Sequence, residues 1–75
     1  MVFETIQKLL VQCLGCSENR IQEHTAILEN LEATEEDLAE VLMGLEEEFD
    51  VQFPENATQT LRTVGDLVSW IENHG

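Results

Sequence analysis

Positive charge is almost absent from this chain. Lys8, Arg20 and Arg62 are its only lysines and arginines against 16 Asp and Glu, a formal charge of −13 over 75 residues. Proteins hold nucleic-acid phosphates and anionic lipid headgroups through lysine and arginine, so no nucleic acid and no membrane surface is expected as a partner. Such a surface attracts basic faces of other proteins instead. Long apolar runs are missing too. None exceeds three residues, as at Leu9–Val11, far short of the ~20 that span a bilayer. The opening Met1-Val-Phe-Glu-Thr5 lacks the basic, apolar and cleavage regions of a secretory signal, which predicts a cytoplasmic protein. Size sets a further limit. A chain this short buries only about 60% of its unfolded surface, so a catalytic pocket would compete with the core for the same side chains. One domain over residues 1–75, monomeric and not an enzyme, is the expectation.

The chain has two cysteines and two histidines. Cys13-Leu-Gly-Cys16 has the spacing of a redox pair, but such pairs open helices, where the dipole favours thiolate, and this one closes a helix. A structural zinc site needs four ligands, and His24 and His74 are distant in sequence. Cys13 is therefore expected in the core and Cys16 in a loop. No Ser or Cys accompanies either histidine as a nucleophile, so no catalytic residue and no metal site is expected. A redox or metal protein working through Cys13 and Cys16 is the least favoured reading.

What is present is helical periodicity. Val2, Ile6, Leu9, Leu10, Cys13 and Leu14 share one face, and Gly15 follows as a left-handed cap, which predicts a helix over about residues 2–14. From Cys16 to Leu31 the pattern fades into a long loop pinned by Ile21, Ile27 and Leu28. Leu38, Val41, Leu42, Leu45 and Phe49 then form the clearest stripe, opened by a Thr34–Asp37 capping box and closed before Pro54, a helix over about residues 35–50. A short helix fits within Asn56–Leu61. A second capping pair, Thr63 and Asp66, precedes Val64, Leu67, Val68 and Ile71 in a last helix over about 64–73. The predicted fold class is all-α: three main helices and one short one, with a core of Phe3, Ile6, Leu10, Leu38, Leu42, Leu45, Phe49, Leu67, Val68 and Ile71. Ten of the acids fall between Glu29 and Asp50, with no lysine or arginine between Arg20 and Arg62 to neutralise them. The helix over 35–50 is thus an anionic rod, and Glu36 with Glu40 is a like-charge pair one turn apart.

This pattern resembles the acyl carrier protein family over nearly the whole chain. The most specific stretch is Val41-Leu-Met-Gly-Leu-Glu-Glu-Glu-Phe-Asp50 with Pro54 after it; Val64-Gly-Asp-Leu-Val68 and Trp70-Ile71 also fit. The resemblance implies an acidic helical bundle working in fatty acid or polyketide synthesis. In that family a serine of an Asp-Ser-Leu motif at the start of the acidic helix carries a 4′-phosphopantetheine arm. Ungapped alignment back from Phe49 puts Thr34 at the Asp, Glu35 at the Ser, Glu36 at the Leu, and Glu32 at a preceding Gly. A carboxylate cannot supply the hydroxyl oxygen of the phosphodiester, so no cofactor is expected on this chain. The two serines, Ser17 and Ser69, fall elsewhere. The resemblance still implies docking of synthesis enzymes through the acidic helix, with Glu35, Glu36, Asp37, Glu40, Met43, Glu46 and Glu47 as partner-binding residues. The alternative is a working acyl carrier modified at an unexpected site.

Overall fold

The computed structural model describes residues 2–74, so Met1 and Gly75 of the expected domain lie outside the described residues. Its helices are α1 (Val2–Leu14), α2 (Ile27–Asn30), α3 (Glu35–Phe49), α4 (Ala57–Thr60) and α5 (Val64–His74), with a 3-10 turn at Glu18–Arg20. No β-strand occurs among the described residues. The all-α bundle read from the periodicity is present, and its three long helices begin and end within a residue of the expected bounds.

Local chemistry sets those bounds. Gly15 takes φ +69° and its N–H donates to the Val11 carbonyl at 2.9 Å, turning the chain off α1 where a side chain would be strained. At α3 the capping box is complete: Thr34 Oγ1 accepts from the Asp37 N–H and Asp37 Oδ2 accepts from the Thr34 N–H, each at 3.2 Å. Asp50 ends α3 in the left-handed region, with its N–H on the Glu46 carbonyl. At α5, Thr63 and Asp66 exchange equivalent bonds at 3.1 Å.

α1 is the central pillar, packed against both α3 and α5. Ile6 and Leu10 of α1 meet Leu38, Val41, Leu42 and Leu45 of α3 and Val64, Leu67 and Ile71 of α5 in one buried cluster. Four further members, Ile21, Ile27, Val51 and Ala57, come from outside the long helices. Phe3, Phe49 and Val68, expected inside, are only partly buried and pack on the cluster from outside: Phe3 and Phe49 stand in the end turns of α1 and α3, and Val68 lies at the margin of the α5 stripe.

Two expectations are corrected. The segment from Cys16 to Leu31 is not a plain loop. Ser17 Oγ accepts from the Asn19 N–H at the 3-10 turn, and α2 adds a turn of helix, both too short to generate a periodic signal. Its far end is stitched to the start of α5: Ile27 N–H donates to Arg62 O (2.9 Å), Val64 N–H to Thr25 O (3.0 Å) and Gly65 N–H to Glu23 O (2.7 Å). A Cβ at Gly65 would stand 3.0 Å from that Glu23 oxygen, so any larger residue there must push the first connection back by a few tenths of an ångström. Buried Thr25 holds the turn with its hydroxyl, donating to Arg20 O and accepting from the Gln22 N–H. The second correction concerns the cysteines. Cys13 is exposed, whereas Cys16 packs on the core with Sγ 3.9 Å from the Leu10 carbonyl oxygen. The left-handed turn at Gly15 brings Cys16 back over the helix end, where helical spacing alone had favoured Cys13.

Candidate functional site

α3 places the predicted partner-binding residues. At about 100° per residue, Glu36, Glu40, Met43 and Glu47 fall within about 60° of arc, directly opposite the buried Leu38, Val41, Leu42 and Leu45. All four are exposed, and Met43, at 58%, is the large apolar residue most open to solvent among those described. A rise of about 1.5 Å per residue spreads them over about 16 Å of a straight ridge. α3 contains no lysine or arginine to pair with them.

The remaining acids of the expected set have other work. Asp37 is half-buried and its Oδ2 is held by the Thr34 N–H; Glu46 is half-buried and its Oε2 accepts from the Phe53 N–H at 2.9 Å. The first closes the start of α3 and the second ties the chain after Asp50 back to the helix. The Asp37 contact is the capping box expected from its three-residue spacing to Thr34, whereas the Glu46 contact with the Phe53 N–H leaves no mark in the pattern.

Glu35 is the first residue of α3 and is exposed. The nearest hydroxyl in sequence, Thr34 Oγ1, is engaged by the Asp37 N–H. Ser17 lies at the 3-10 turn and Ser69 on the exposed face of α5. Before α3, Glu32 adopts φ +55°, a left-handed conformation that a β-carbon disfavours by about 1–2 kcal/mol. Glu32→Gly should therefore raise stability by about 0.5–1 kcal/mol after the added freedom of the unfolded chain is subtracted. Urea denaturation checks this, and a loss of stability would show that the Glu32 side chain makes a compensating contact.

Two shallow depressions mark the surface. One, of about 450 Å³, is lined by Met43, Glu46, Glu47, Asp50, Val51 and Gln52 at the C-terminal end of the ridge. The other, of about 460 Å³, lies between His24 and Glu23 of the first connection and Asp66, Ser69 and Glu72 of α5, and shares no residue with α3. Among the described residues no group of three or more His, Cys, Asp and Glu is placed to hold a metal ion, and no helix is long and apolar enough to cross a membrane. His24 is exposed. His74 belongs to α5, its ring stacked on Trp70 with centroids 3.8 Å apart and Nδ1 3.0 Å from the Trp70 carbonyl oxygen.

No protein-family model matches the chain. It is, however, 34% identical over 74 residues to an acyl carrier protein of Clostridium acetobutylicum, covering 99% of this chain and 96% of that protein. The chain belongs to the acyl carrier protein family. A second acyl carrier protein, from a Sulfurovum species, is 33% identical over 72 residues and covered to 96%, as is this chain. Both alignments run through all five helices, so the acyl carrier likeness extends to the connections as well as to the acidic helix.

The acyl carrier fold concentrates its charge on α3, and the charge should be measurable as repulsion. Raising NaCl from about 0.01 M to about 0.15 M shortens the screening length from ~30 Å to ~8 Å. The thermal midpoint should rise over that interval, by about 4–8 °C for each kcal/mol of repulsion relieved, and level off above it. A flat midpoint below 0.15 M followed by a rise at molar salt would point to a general salting-out effect instead.

Proposed function

We infer that this chain is an acyl carrier homologue that is not itself loaded and that serves as a protein-docking domain through the outer face of α3. The observation that carries this reading is Glu35. By the family resemblance it stands where the attachment serine is expected, and it offers an exposed carboxylate at the first position of α3 with no free hydroxyl beside it. Docking is supported by Glu36, Glu40 and Glu47 in line with exposed Met43, on a helix without a compensating cation. The partners that fit are basic faces of fatty acid or polyketide synthesis enzymes.

The test is intact-mass measurement after incubation with coenzyme A and a broad-specificity phosphopantetheinyl transferase. The mass should be unchanged, while a conventional acyl carrier protein in the same tube gains one phosphopantetheine unit. A gain of that unit by this chain would overturn the unloaded reading in favour of a working carrier.

A further inference from the structure

We draw no further inference here: the strongest candidate, the depression between Glu23 and His24 of the first connection and Asp66, Ser69 and Glu72 of α5, is an acidic cluster, and nothing in the structure shows what occupies it.

Discussion

Leu45→Ala should remove about 2–5 kcal/mol of stability and lower the thermal midpoint by about 10 °C or more. Leu45 is fully buried on the inner face of α3, in the cluster shared with α1 and α5. Deleting its branched end forfeits transfer free energy and leaves a cavity that the short helices around it cannot fill by collapse. A domain of this size has about 4–11 kcal/mol in total, so one such change can consume half. Met43→Ala, two residues away on the outer face, should move the midpoint little, within about 0.5 kcal/mol. Calorimetry of the two variants tests which face of α3 is the inner one. A shift below 4 °C for Leu45→Ala, or a larger one for Met43→Ala, would show that the helix is rotated from the described packing.

The second large effect is a change of chemistry. Thr34→Asp, Glu35→Ser and Glu36→Leu together should convert the chain into a substrate for a phosphopantetheinyl transferase, whereas Glu35→Ser alone should be loaded poorly or not at all. The serine provides the missing hydroxyl. Aspartate at 34 keeps a good helix cap, so the start of α3 survives the triple change. Leucine at 36 removes an exposed carboxylate and supplies the apolar residue that the family resemblance implies for the transferase contact. With Glu36 retained, a charge must be desolvated in the complex without a partner, which opposes binding. Intact-mass spectra of the two variants decide between these expectations. Full loading of Glu35→Ser would show that the flanks are immaterial, and failure of the folded triple variant would show that Glu32 or a more distant residue also stands in the way.

The positions of α1, α3 and α5 are legible in the sequence because each carries an apolar stripe at helical spacing and a cap signal within a few residues of its end. Thr34 with Asp37, and Thr63 with Asp66, are local pairs. Their geometry follows from three-residue spacing, and the bonds are found as expected. The exposed row Glu36, Glu40, Met43 and Glu47 is readable for the same reason, since a helix once placed assigns every residue to a face. Cys13 shows the limit of that rule. Its spacing matched the apolar stripe of α1, yet at the last turn no neighbouring helix covers it, and it is exposed.

By itself the sequence determined an acidic, all-helical chain of the acyl carrier type, with one helix whose outer face is anionic and whose first residue is Glu35. These properties depend on composition and on contacts within four residues, which periodicity records. Only the tertiary structure decided that Val51 and Ala57 join the expected Ile21 and Ile27 in the core, that the first connection is stitched to α5 at Gly65, and that the Glu46 carboxylate holds the Phe53 N–H. Each depends on segments brought together by chain reversal. Contacts between segments distant along the chain leave no period to read, because they arise from where the helices pack and not from the order of residues within any one of them.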